Sequence, residues 1–190
     1  MLAVVVIFCL LYFCNVQGNG QVPEEDSYIL NFDSPIYVCP DEESQKFIDT
    51  SQIAIGRHNE TCSYMTGAIS FLKGMQSTTM VEIIIEKEIS GSFEMFASHE
   101  ICNLCKELGD PESTYKDYLQ HFGFPEVCPF EPNTFAVNDL VAHSKDLPIN
   151  SVTVGRYQVT MNFIENPSSD CLDEKSFLAC LKLDFIIEPM

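Results

Sequence analysis

Near the end of the chain, apolar and polar side chains alternate with a period of two. Tyr157, Val159, Met161 and Phe163 interleave with Arg156, Gln158, Thr160 and Asn162, so one face is apolar and the other wetted, as in a half-buried strand. After Asn166-Pro167-Ser168-Ser169, which has the composition of a turn, Phe177, Ala179, Leu181, Leu183, Phe185 and Ile187 take one face. Lys182, Asp184 and Glu188 take the other. The two segments predict an antiparallel hairpin with a shared apolar face. A second hairpin is predicted from residues 80–88 (MVEIIIEKE) to residues 92–96 around Ser90-Gly91, because β-branched Val81, Ile83, Ile84 and Ile85 favour extended backbone. Residues 28–32, 53–57 and 64–72 are further strand candidates. Helical signal is confined to the middle. Ser98 ahead of His99-Glu100 fits the cap of a helix running to Leu108, and Pro111-Glu112 fits the opening of a second running to Phe122. About seven short strands with one short helical insertion predict an all-β fold, a two-sheet antiparallel β-sandwich.

Residues 1–14 form an apolar run followed by Asn15-Val16-Gln17-Gly18. This reads as a signal peptide over 1–18, cleaved after Gly18, which leaves one domain over 19–190. A membrane anchor is the competing reading, since no Lys or Arg precedes the run. Against it, the run is shorter than the ~18 to 20 residues that span a bilayer. The leader carries no charged side chain, so the mature domain keeps the formal charge of −18. Such a field repels phosphate backbones; it argues against nucleic acid as a partner and against tight docking on anionic membrane at neutral pH. The sequence pI of about 4.3 adds a qualification: carboxylates with pKa near ~4 partly neutralise in an acidic organelle, so transient membrane contact is expected to be acid-gated.

Of nine cysteines, Cys9 and Cys14 belong to the leader, and the seven that remain are an odd number. In a secreted, oxidised domain six would pair and one would stay free or bridge chains. Asn59-Glu60-Thr61 is a glycosylation sequon consistent with that compartment, which marks Asn59 as a candidate acceptor; Asn166-Pro167-Ser168 is excluded by its proline.

No nucleophile elbow, zinc-protease helix, dinucleotide loop or phosphate loop is present, and His58, His99, His121 and His143 lie on unlike segments. The Cys102-Asn103-Leu104-Cys105 spacing stands alone and reads as two structural cysteines with distant partners, not as a redox pair or zinc site. Paired acids such as Glu24-Glu25, Glu42-Glu43, and Glu86 with Glu88 read as solvated. No catalysis, cofactor or metal is expected.

At Val81-Glu82-Ile83-Ile84-Ile85-Glu86-Lys87-Glu88-Ile89-Ser90-Gly91 the chain resembles the GM2 activator family, in which a hydrophobic strand ending in Glu-Lys-Glu leads to a small residue and glycine. Ile101-Cys102-Asn103-Leu104-Cys105-Lys106-Glu107-Leu108 is similar to that family's helical cysteine segment. Cys128-Pro129-Phe130, Thr134-Phe135-Ala136-Val137, Leu147-Pro148, Gly155-Arg156-Tyr157 and Ala179-Cys180-Leu181-Lys182 continue the same order of landmarks. The resemblance runs from about Val81 to Ile187 and implies the wider MD-2-related lipid-recognition (ML-type) group. Residues 59–72 look more like insect secreted proteins of that group, some implicated in chemosensation. The resemblance implies that Cys39 pairs with Cys180 and Cys105 with Cys128, and it offers no partner for Cys62, Cys102 or Cys171. It also implies a bulky apolar rim after Leu-Pro, where this chain reads Ile149-Asn150-Ser151-Val152 and has no tryptophan, which argues against membrane insertion through that loop.

The function implied is lipid carriage. A buried methylene is worth about 0.8 kcal/mol, so a sixteen-carbon tail left in water costs roughly 12 kcal/mol, and escape from a membrane needs an apolar host. A sandwich whose sheets part at one end (a β-cup) would offer that host as an internal apolar cavity. Its expected lining is Ile83, Ile85, Phe93, Met95, Phe130, Phe135, Tyr157, Val159, Met161, Phe163, Leu181, Leu183 and Phe185. The ligand would be a glycolipid or phospholipid, and a lysosomal hydrolase or a receptor would be the partner. A module sensing a small apolar cue outside the cell is the alternative.

Overall fold

Two antiparallel sheets carry the chain, as the period-two alternation predicts. The computed structural model describes residues 28–59, 62–113, 115, 121–122, 124–125, 128–141, 150–168, 170–172 and 174–190, without the side chains of His58, Asn59 and Asp139. The expected leader, the sequon's acceptor side chain and most of the helix expected from Pro111 to Phe122 lie outside the described residues.

In chain order the elements are β1 (Tyr28–Phe32), β2 (Tyr37–Val38), α1 (Glu42–Phe47), β3 (Ile48–Asp49), β4 (Ala54–Asn59), β5 (Cys62–Phe71), β6 (Thr79–Ile89) and β7 (Ser92–Ile101). They continue with α2 (Leu104–Gly109), β8 (Asn133–Val141), β9 (Gly155–Glu165) and β10 (Ser176–Pro189). The larger sheet runs β1-β10-β9-β6-β7, with β2 also on β10. The smaller one is centred on β5, which pairs with β3, β4 and β8. The sheets meet where the Phe32 amide donates to the buried Ser63 hydroxyl, 3.2 Å away. This bond gives β1 a partner in the facing sheet as well as in its own.

Local chemistry sets several of these elements. Ser90 and Gly91 both have positive φ (55° and 85°), and the flanking Ile89 and Ser92 pair directly. A two-residue turn of that handedness matches the twist of its strands. Gly67, at φ 121°, sits where an added Cβ would lie 2.0 Å from the Gln52 carbonyl oxygen, so β5 tolerates no side chain there. Asp41 caps α1 by accepting from the Ser44 amide (2.8 Å) and hydroxyl (2.7 Å), and the Ser44 oxygen in turn accepts from the Cys180 amide (2.8 Å). The fully buried Ser44 therefore anchors α1 to β10. Burial raises the Asp41 carboxyl, but the hydrogen bonds from Ser44 together outweigh it and hold its pKa below the ordinary aspartate value.

The helix expected from Ser98 begins later. Ser98 to Ile101 remain in β7, paired with Ile84 to Val81, and α2 starts at Leu104 with Asn103 as its cap, accepting from the Lys106 amide at 3.0 Å. Pairing with a long, β-branched β6 outweighs the local cap signal. Phe177 also departs from its expected face: an extra residue in β10 between Phe177 and Ala179 shifts the register, and Phe177 is exposed.

Three disulfides brace the fold: Cys39–Cys180, Cys105–Cys128 and Cys102–Cys171. The first two are the pairs implied by the family resemblance. The third ties the end of β7 to the turn before β10. Among the described residues Cys62 is the free thiol. Such bonds belong to an oxidising compartment. Among the described residues no helix is long and apolar enough to cross a membrane.

Candidate functional site

Cross-strand register brings the inward side chains of the larger sheet into rows. Val81, Phe163 and Ala179 align across β6, β9 and β10. Ile83, Met161 and Leu181 form the next row, then Ile85, Val159 and Leu183, then Lys87, Tyr157 and Phe185. The strip is apolar except at its last row.

Its lower end is filled. Phe71 of β5 lies at ring-centroid distances of 5.6 to 6.4 Å from Phe47, Phe124, Phe130, Phe135 and Phe163. Met65, Ile69, Val137 and Leu181 are buried around this group. Above it the packing changes. Ile83, Ile85, Met161, Leu183 and Phe185 pack against the core yet remain partly exposed, and Val159, also partly exposed, lies in register between Ile85 and Leu183. At the far end Tyr157 is buried again: its ring stacks on Phe185 (5.1 Å, interplanar 6°), Phe96 meets it edge-on at 5.8 Å, and its hydroxyl donates to the Thr153 carbonyl at 2.8 Å. Burial raises the Tyr157 hydroxyl above its ordinary value. A partly exposed apolar strip thus lies between the aromatic floor and the Tyr157–Phe185 stack.

Eleven of the thirteen residues expected to line a cavity belong to this face or to the aromatic floor: Ile83, Ile85, Phe130, Phe135, Tyr157, Val159, Met161, Phe163, Leu181, Leu183 and Phe185. Phe93 and Met95 do not. Ile85 pairs with Ala97 but Glu86 pairs with Met95, so Phe96 is an extra residue in β7. Beyond this bulge the side chains change faces. Phe93 and Met95 share the outer face with Glu88 and Glu86, 39% and 68% exposed. Phe96, absent from the expected lining, meets the Tyr157 ring edge-on while remaining 46% exposed.

A concavity of about 280 Å³ opens beside the β7 edge. It is lined by His99, Glu100, Ile101, Cys102, Asn103, Lys106, Glu107 and Tyr115. His99 shares a face with its cross-strand partner Ile83 and hydrogen-bonds the Tyr115 hydroxyl. Burial lowers the His99 pKa and outweighs the opposing pull of Glu100 and Glu107. Among the described residues no group of three or more His, Cys, Asp or Glu is placed to hold a metal ion.

No protein-family model and no curated protein matches this chain. The functional reading therefore rests on the residues and their arrangement.

Proposed function

We propose that this chain is a secreted lipid-binding and lipid-transfer protein of the GM2 activator-like type. It holds an acyl chain against the inward strip of the larger sheet and presents the head group, of a glycolipid or phospholipid, to a hydrolase or receptor. It performs no bond chemistry of its own. The observation that carries this reading is the run of core-facing apolar side chains Ile83, Ile85, Met161, Leu183 and Phe185, with Val159 in register among them, left partly exposed above a filled aromatic floor. Large apolar side chains are ordinarily withdrawn from water in a sandwich core, and a recess lined by them takes apolar ligands. The disulfide bracing supports secretion or residence in a lysosome, and the charge of −18 supports membrane contact that strengthens on acidification.

The test is what the purified protein carries. Mass spectrometry of extracts from protein secreted by a eukaryotic host is expected to find long-chain lipid in amounts approaching one per chain. A small volatile in its place would favour the chemosensory alternative, and an empty protein that also takes up no lipid from vesicles contradicts the proposal.

A further inference from the structure

Among the described residues, the inward face of the larger sheet carries a single lysine or arginine, Lys87, in the last row of the strip. Resting on the lipid reading above, we propose that Lys87 is the head-group anchor and that the ligand is an amphiphile with one long tail and an anionic head, a carboxylate or a phosphate.

The geometry begins with register. Lys87 follows Ile85 on the same face of β6, directly across from Tyr157 of β9. Its stem crosses the sheet over Gly155, where a Cβ would come 2.9 Å from the Lys87 Cε; with Gly155 at φ 143°, the position favours glycine on both counts. The ammonium lies 5.5 Å from the Tyr157 ring centroid and donates to the Val152 carbonyl at 2.8 Å. An ammonium has three donors, and one is used here. The ring and the carbonyl hold the charge at the end of the strip without neutralising it. Glu94, its cross-strand neighbour on β7, forms no ion pair with it among the described residues, while Arg156 on the outer face is engaged by Asp33. Lys46 and Lys175 are paired with Glu42 and Glu100 elsewhere. In a chain of charge −18, a positive group kept at the end of an apolar strip is placed for an anion bearing a tail.

Length agrees with this orientation. From Lys87 to Val81, the top of the filled floor, is six residues, about 20 Å at ~3.4 Å per residue. That is close to an extended sixteen-carbon chain with C–C bonds of about 1.5 Å.

Three probes share a palmitoyl tail: palmitate, palmitoyl lysophosphatidate and neutral monopalmitin. Wild-type protein is expected to bind the two anions about tenfold more tightly than monopalmitin, consistent with one charged hydrogen bond. Lys87→Met, which keeps the stem over Gly155, should remove that preference and leave monopalmitin binding unchanged, whereas Lys87→Arg should retain it. Preference for palmitate alone or for lysophosphatidate alone assigns the head as carboxylate or phosphate. Equal binding of all three by wild type, or a preference that survives Lys87→Met, overturns the anchor while leaving the lipid reading intact. Failure of all three to bind overturns both. With wild-type protein alone, the preference must shrink as salt rises, and a salt-independent preference overturns the anchor equally.

Discussion

Phe71 has more aromatic neighbours than any other described side chain, and five rings lean on it. Truncation to alanine leaves a void that rings from both sheets and the loop segments cannot all collapse into. Phe71→Ala is therefore expected to cost about 3 to 5 kcal/mol in chemical denaturation. The same change at exposed Met95 should cost under about 0.5 kcal/mol. Tyr37 shows how the outer, wetted face is ordered. Its hydroxyl donates to Asp184 at 3.0 Å, and burial, with that bond and the nearby carboxylate charge, pushes its pKa up to about 12. The raised value means that the contribution to stability is complete below the unfolded tyrosine value near ~10 and is lost as pH climbs through about 12. Spectrophotometric titration of wild type against Tyr37→Phe should show one phenol ionising near that upper limit.

At the scale of elements, the pairing of β6 with β7 decides which residues can meet a ligand. Alternation in the sequence locates both strands and the turn at Ser90-Gly91, since turn chemistry and β-branching are local properties. It does not reveal the extra residue at Phe96, because nothing in a strand's own pattern announces a bulge. Phe93 and Met95 accordingly read as lining, and Phe96 does not. The faces of β9 and of β10 from Ala179 onward were legible because the registers of β9 with β6 and of β10 with β9 are uninterrupted there. The late start of α2 and the Cys102–Cys171 bond were not, as both depend on distant partners. Although Phe96 is itself exposed, its edge-on contact with Tyr157 makes Phe96→Ala more costly than Met95→Ala, by about 1 kcal/mol. His99 gives this edge a pH response. Its folded pKa lies below the unfolded value near ~6.5, so the unfolded chain binds the extra proton and stability falls as pH drops through ~6.5 toward the folded pKa. Denaturation midpoints between pH 7 and 5 should fall less in His99→Gln than in wild type. Asp41 acts in the same direction at lower pH: its depressed pKa keeps the α1 cap charged well below neutrality, and its contribution fades only as pH falls through that depressed value.

The whole molecule joins a disulfide-braced frame to a partly exposed apolar face. Cys39–Cys180 closes a sequence separation of 141 residues and ties the segment after β2 to β10, which flanks the strip. Replacing both cysteines with serine is expected to lower stability by about 2 to 5 kcal/mol. The central claim concerns where an acyl tail would lie, and photo-crosslinking addresses it directly. Palmitate carrying a photoreactive group at the tail end, bound and irradiated, should label Ile83, Met161 or Val81 by peptide mass spectrometry, with the same group near the carboxylate labelling residues around Lys87 and Tyr157. Label confined to outward residues such as Phe93, Met95 or Phe177, or scattered without saturation, would contradict the account.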